Sequence, residues 1–473
     1  MGKSNLNDLT AILGNSLRIE DGTAVVTNPA RLRANIHRLA EISALESGPR
    51  QGMARYLTRL AAQGMGILPS SINDLYRARG RGEIPPTFTV PAINLRALSF
   101  EAAIAVFRAA KALDAGAFIF EIARSEVGYT GQRPAEYATN VLAAAIVEDY
   151  RGPVFIQGDH FQVSAKRYGS QPEAELQAVR DLTQEAIDAG FFNIDIDTST
   201  LVDISQAELS EQQALNTQLS AMFTALVRSI QPDGIVISVG GEIGEVGGHN
   251  STEPELRAYM DGYQRELEKL SPGAAGLSKI SIQTGTSHGG VVLPDGTIQE
   301  VAVDFDTLRR LSRIARHDYG MGGAVQHGAS TLPESAFHKF VEAEANEVHL
   351  ATNFMNMLFD RLPPELKADM YRYLDEKFAS ERKPGMTDEQ FYYKTRKNAV
   401  GPFKAQTWNL PEEHKVAIRQ TWQDQFAKLF RLLGLEGTQT YIEQAIRPAP
   451  VKPKLKFYVG EAAEGEQVSD LAD

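Results

Sequence analysis

Between residues 85 and 362 the chain repeats one pattern: a short apolar run rich in β-branched residues, then a longer stretch with helical spacing. The runs read TFTVPAIN, GAFIFEIA, GPVFIQGDH, FFNIDIDT, GIVISVGGEIG, KISIQTG, GGAVQHG and EVHLATNF. Segments such as FEAAIAVFRAAKALDA and FDTLRRLSRIARHD lie between them. Continuously apolar strands joined by helices describe a parallel sheet covered on both faces. About eight units in about 270 residues match the number and size of a (β/α)8 barrel, so the expected fold class is α/β, a TIM barrel. An open doubly wound sheet is the alternative, and the lack of a Gly-rich phosphate fingerprint after the first strand favours the barrel. Residues 1–84, with NPARLRANIHRLAEISALES and RQGMARYLTRLAAQGM, predict a helical N-terminal extension. Residues 363–473, with PPELKADMYRYLDEKFAS and EEHKVAIRQTWQDQFAKLFRLLG, predict a helical C-terminal extension ending in a loose tail, Pro-rich and then acidic.

The chain of 473 residues has no cysteine, which excludes disulfides, Cys-ligated zinc and iron–sulfur clusters and fits a reducing cytoplasm. Sixty acidic residues against 48 basic ones leave a formal charge of −12. No broad basic field exists to hold nucleic acid or an anionic membrane, so neither is an expected partner. The start MGKSNLNDLTAIL has no secretory pattern, and no apolar run approaches the roughly 20 residues that cross a bilayer.

In such a barrel, chemistry collects where strands end at the carboxyl face. The third run ends Gly158-Asp159-His160, the fourth carries Asp195 and Asp197, and the fifth ends Gly241-Glu242-Ile243-Gly244-Glu245. The sixth ends Gly285-Thr286-Ser287-His288-Gly289-Gly290, the seventh Gln326-His327-Gly328-Ala329-Ser330, and the eighth carries His349, Thr352 and Asn353. Three of the nine histidines, His160, His288 and His327, thus stand at the ends of three strands. Strand ends around one rim converge, so three imidazoles could share a metal in the open-site zinc arrangement. The alternative is three separately hydrogen-bonded histidines. Asp159 could carry protons beside that metal, or cap a helix, or orient a histidine. Asp195 and Asp197 alternate along one strand and point the same way, as orienting carboxylates or loop caps. Glu242 could bind metal, contact substrate or bridge at the barrel mouth. Gly328-Ala329-Ser330 and Thr352-Asn353 sit where a barrel phosphate site forms near the last two strands, or make ordinary turns.

At these residues the chain resembles the class II, metal-dependent fructose-bisphosphate aldolases, from about Val90 to about Asn356. The motifs VPAIN, FEIARSEVGYTG, GDH, GGEIGEVGG, GTSHGG, QHGAS and EVHLATNF follow the family order. The resemblance implies a metal-dependent aldolase of a ketose phosphate, with fructose 1,6-bisphosphate as the first substrate, and tagatose bisphosphate, another ketose or a non-catalytic sugar-phosphate binder as alternatives. It implies zinc or another divalent ion on His160, His288 and His327, with Glu242 as a further ligand, and it admits a monovalent cation. Asp159 would move the hydroxyl proton, with His349 and Glu245 as further catalytic residues. Ser125, Asn94, Gly289, Gly328, Ser330, Thr352 and Asn353 would hold substrate or its phosphate. A cytoplasmic homo-oligomer, dimer or tetramer, is also implied. The chain departs from the family in three places. His249-Asn250 replaces the acidic pair of the mobile loop, leaving Glu245 or Glu253 to substitute. Gly290-Val291-Val292-Leu293 replaces an aromatic residue and lysine near the phosphate, and His349 stands where an asparagine is usual.

Overall fold

The computed structural model describes residues 2–244, 248–285, 303–460, 468 and 471. Eight strands form the barrel: β1 (Val90–Asn94), β2 (Ile119–Ala123), β3 (Gly152–Gln162), β4 (Asn193–Asp197), β5 (Ser238–Glu242), β6 (Lys279–Ser281), β7 (Ala324–Gln326) and β8 (Glu347–Leu350). Each pairs in parallel with the next, and β8 returns to β1 through the register Glu347↔Val90. All eight apolar runs supply a strand, and the barrel closes. Helices including Ser99–Ala112, Pro172–Ala189, Glu253–Leu270 and Phe305–His317 follow strands β1, β3, β5 and β6. Their ends are written locally: Thr252 and Glu255 cap one helix start reciprocally, and Asp304 accepts from the Thr307 N–H at another.

β3 is the irregular strand. Its ladder with β4 runs Gln157↔Asn193 and Gly158↔Ile194, then resumes at Phe161↔Ile196. Asp159 and His160 therefore face the single residue Asp195, which is a β-bulge. His160 takes φ = 41°, in the left-handed region. Gly158 makes room for the bend, because a Cβ there would lie 2.4 Å from the Phe161 ring.

The N-terminal region is not helical throughout. Leu17–Glu20 and Thr23–Val26 form an antiparallel hairpin. Asp21 (φ = 51°) and Gly22 (φ = 76°) turn it, an Asp-Gly pair suited to a type I′ turn. A further strand, Ile67–Ser70, pairs in parallel with Gly152–Phe155, the part of β3 that β4 does not reach. Asn193 seals the junction: Nδ2 donates to the carbonyls of Ser70 (3.2 Å) and Ile156 (3.0 Å), and Oδ1 accepts from the Ile72 N–H (2.9 Å). Four residues containing a proline carry no readable period, so only the vacant edge of β3 explains this strand.

The C-terminal region is helical, and its longest helix, Glu412–Leu432, lies along Ser99–Ala112. The buried Trp422 donates its indole N–H to the Phe354 carbonyl (3.1 Å), and Phe430 stacks on Phe118 at 5.6 Å. Among the described residues no helix is long and apolar enough to cross a membrane. Trp422→Ala is expected to lower stability by about 3–5 kcal/mol through the cavity it leaves. Chemical denaturation followed by circular dichroism checks this, and a loss under about 1 kcal/mol would contradict the packing.

Candidate active site

The bulge decides which side chains meet. In a regular strand Asp159 and His160 would point to opposite faces. Here both are buried inside the barrel mouth. His160 Nδ1 donates to Asp197 Oδ2 at 3.0 Å, and Asp197 also accepts from the Ser199 N–H and hydroxyl (3.0 and 2.6 Å). Burial works to raise the Asp197 pKa, and these bonds outweigh it and hold it below the usual value. An ionised acceptor on Nδ1 places the imidazole lone pair on Nε2, the tautomer a metal ligand needs.

Glu242, at the end of β5, places Oε1 3.1 Å from His327 Nε2 and 3.5 Å from His160 Nδ1. The His160 and His327 rings lie 4.3 Å apart, and His327 stacks on His349 at 4.0 Å. One donor atom each from His160, Glu242 and His327 falls within 4.8 Å of the others, and Asp159, His327 and His349 form a second such group. His288, Gly289 and Glu245 lie outside the described residues.

His349 sits between acids. Its Nδ1 is 3.0 Å from Glu121 Oε1 and 3.2 Å from Asp159 Oδ1, and its Nε2 is 2.8 Å from Glu347 Oε1. These are ion-pair contacts, and among the described residues Glu121 Oε1 and Asp159 Oδ1 have no hydrogen-bond partner of good angle. Burial acts to raise the Asp159 pKa, but His160 and His349 overcome it and hold it well below the ordinary value. Burial, helped by Asp159, pushes Glu121 up to about 8, and burial pushes Glu242 up to about 8. Burial acts to lower the His160 and His349 pKa values, yet the surrounding carboxylates raise both well above the usual imidazole value.

Beneath this cluster runs a charged layer in which Asp195, a residue the sequence offered as an orienting carboxylate, is joined by Glu121, Lys279 and Glu347, which it did not mark. Each even-numbered strand contributes one residue to this layer: Glu121 from β2, Asp195 from β4, Lys279 from β6 and Glu347 from β8. Lys279 Nζ donates to Asp195 Oδ2 (2.9 Å), to Gln157 Oε1 (2.8 Å) and to Glu347. Gln157 Nε2 joins Glu121 (2.8 Å) to Glu347 (3.0 Å). Burial tends to raise the Glu347 pKa, but Lys279 holds it at about 2, while burial pushes Asp195 up to about 6. Burial disfavours the Lys279 ammonium, yet Asp195 and Glu347 raise its pKa above the usual lysine value. A Schiff-base nucleophile must be a neutral amine, so this lysine is unsuited to that chemistry. The signal was present as an ionisable residue inside strands that are mostly apolar: Glu121, Asp195, Lys279 and Glu347.

The remaining expected residues take several positions. Asn94, at the end of β1, donates Nδ2 to Asp159 Oδ2 (3.1 Å) and Glu126 Oε2 (2.9 Å). Ser330 Oγ accepts from the Ala351 N–H (2.6 Å), joining the loop after β7 to the start of helix Thr352–Arg361. Gly328 (φ = 69°) turns into that loop, Thr352 is buried, and Asn353 is half-buried. Ser125 is half-buried on helix Arg124–Thr130, after β2. Glu253 is the first residue of helix Glu253–Leu270 and pairs with Arg257 (2.9 Å). The donor set fits a divalent ion. Two imidazoles and a carboxylate converge, His160, His327 and Glu242, and bring donor atoms within 4.8 Å of one another. Lys279→Met would strip Asp195 and Glu347 of their cation and is expected to destabilise the fold by about 3–5 kcal/mol. Thermal and denaturant unfolding measure this, and an unchanged melting temperature would contradict the layer.

A family model described as fructose-bisphosphate aldolase class-II matches residues 86–408. No curated protein sequence matches the chain significantly. Among solved structures, the one-glycerol complex of the fructuronate-tagaturonate epimerase UxaE from Cohnella laeviribosi aligns with TM-score 0.54 at 14% identity, over 89% of this chain and 90% of that chain. A probable tagatose 6 phosphate kinase from Sinorhizobium meliloti 1021 aligns with TM-score 0.50 at 15% identity, over 78% and 97%. The fructose-bisphosphate aldolase of Campylobacter jejuni aligns with TM-score 0.47 at 15% identity, over 79% and 97%. At these identities the likeness to the epimerase and to the probable kinase is one of fold. The family match spans well over half of the residues, and the chain belongs to the class II fructose-bisphosphate aldolase family.

Proposed function

We propose that this protein is a metal-dependent aldolase that cleaves or forms a carbon–carbon bond of a ketose phosphate, with fructose 1,6-bisphosphate as the first substrate. The observation that carries the reading is the bulge, which sets the adjacent residues Asp159 and His160 against one residue of β4, so that Asp159 can serve as the proton-transfer group beside His160 as a metal ligand. His160, Glu242 and His327 would hold the ion, and His288 is the further ligand expected from the family resemblance. A divalent ion bound there supplies Lewis acidity toward the ketose carbonyl.

The chain's own residues supply the rest. Asp159, held ionised by its imidazole neighbours, takes the proton of the hydroxyl on the carbon that leaves. That C–O becomes the aldehyde carbonyl, the carbon–carbon bond breaks, and its electron pair passes to the ketone fragment. A proton delivered to that fragment completes the cleavage, and condensation runs the same steps backwards. Asn94 steadies the Asp159 carboxylate through its amide, and His349 faces it from β8. Gly328–Ser330 and the start of helix Thr352–Arg361 suit an anionic group of the substrate, because a helix N-terminus favours negative charge. The reading also carries the expectations of a cytoplasmic homo-oligomer and of divisions near residues 84 and 362.

A second reading is an epimerase of a ketose acid. It is favoured by the extent of the likeness to UxaE, which takes in about nine-tenths of both chains, terminal regions included. Breaking the bond, turning the aldehyde and re-forming the bond on its other face would invert one carbinol centre with the same proton transfer at Asp159.

One experiment separates them. Zinc-loaded protein is incubated with fructose 1,6-bisphosphate, tagatose 1,6-bisphosphate, fructuronate or tagaturonate, before and after chelation. Dihydroxyacetone phosphate release that stops on chelation and returns with zinc is the expected outcome. Interconversion of the two uronates without release favours the epimerase, and no turnover by a stoichiometrically metal-loaded protein overturns both. Asp159→Ala is expected to lower kcat by about 10²- to 10⁴-fold with metal content unchanged, the usual worth of a positioned acid–base group.

A further inference from the structure

We propose that Glu126 is a positioning residue for Asp159, acting through Asn94 and balanced by Arg96. The proposal rests on the reading of Asp159 as the proton-transfer group. Glu126 is the third residue of helix Arg124–Thr130 and is fully buried. Its Oε1 accepts from Arg96 Nε in an ion pair whose side chains are 4% and 0% exposed. Its Oε2 accepts from the Ala123 N–H (2.8 Å) and from Asn94 Nδ2 (2.9 Å). The same Asn94 nitrogen donates to Asp159 Oδ2 at 3.1 Å.

These contacts fix the amide. Two carboxylates facing one carboxamide can be met only by its nitrogen, since its oxygen would repel both. Glu126 therefore turns the Asn94 –NH2 toward Asp159 and holds it there. Without Glu126 the carboxamide can rotate and present oxygen to Asp159, which would push the carboxylate away from the amide. Arg96 faces the buried Glu126 carboxyl through Oε1, so the pair is buried together. Glu126 is itself tied to the backbone at the end of β2, so the orientation is transmitted from strand to strand: β2, then β1, then β3.

The test uses the charge-neutral pair Arg96→Met/Glu126→Leu, which removes both ions together and so leaves neither buried alone. The full-length protein is labelled with ¹⁵N-asparagine, and the side-chain NH2 pair of Asn94 is assigned by its absence in Asn94→Ala. Hydrogen exchange of that pair is expected to quicken about 10-fold or more in the neutral variant, because protection reports on a bond held closed. Steady-state kinetics, on the compound turned over in the assay above, are expected to show kcat reduced about 10-fold with KM within about 2-fold, the pattern of lost transition-state positioning. In an Asn94→Ala background the same two substitutions are expected to reduce kcat no further, because residues acting in series are not additive. Should the neutral variant not fold, Glu126→Asp, whose carboxylate is one methylene shorter and still faces Arg96, is read in the same way. Unchanged exchange of the Asn94 amide overturns the proposal, as does a kcat loss that persists in full without Asn94. Turnover surviving in Asp159→Ala would overturn the reading of Asp159 instead, while the exchange measurement still decides whether Glu126 holds the amide.

Discussion

A β-bulge in β3 sets Asp159 and His160 against the single residue Asp195, and the interior of the barrel is arranged around that displacement. A parallel ladder alternates its side chains, so neighbours normally serve opposite faces. The inserted residue defeats the alternation. It needs a left-handed backbone at His160 and an open flank at Gly158. A residue with a β-carbon is strained in such a conformation, and the surrounding contacts must over-determine it. Asp197 does so from β4 by holding Nδ1 of the displaced imidazole.

The second constraint is charge. Taking carboxylates out of water is costly unless cations or donors replace the solvent. The barrel does this in two tiers. The lower tier is closed by protein alone, with Lys279 and Gln157 between Asp195, Glu121 and Glu347. Gly240 leaves the space, because a Cβ there would lie 2.3 Å from Asp195 Oδ1 and 2.8 Å from Lys279 Cε. The upper tier has imidazoles in place of lysine, and imidazoles can exchange a proton for a metal ion. The division between a sealed tier and an exchangeable one follows from where the ammonium ends.

Much of this was legible in the sequence. Eight apolar runs gave eight strands, because strands buried on both faces leave a pattern that does not depend on distant partners. Asp159, His160, Glu242, His327 and His349 could be named from their places at strand ends, since barrel geometry brings such ends together. What was not legible depended on contacts across the fold. Glu126 reads locally as a helix-capping acid, and only the approach of Asn94 from β1 shows its second partner. The strand Ile67–Ser70 exists because β3 has an unpaired edge, a property of another segment. The hairpin at Asp21-Gly22 was readable from its turn pair, but helical periodicity on both sides of it masked the signal.

Tyr76 belongs to helix Asn73–Gly80, before the first barrel strand, yet its phenol donates to Glu347 inside the barrel. Burial, with the Glu347 charge beside it, raises that phenol's pKa well above the ordinary value, so it remains a donor. With the Asn193 junction, this makes the segment before β1 part of the barrel floor rather than an attachment to it. The family match begins at residue 86, but the barrel does not physically begin there. Sequence drift in the leading segment is therefore coupled to the barrel interior: a change at position 76 must be answered at position 347, and the two regions can diverge only together.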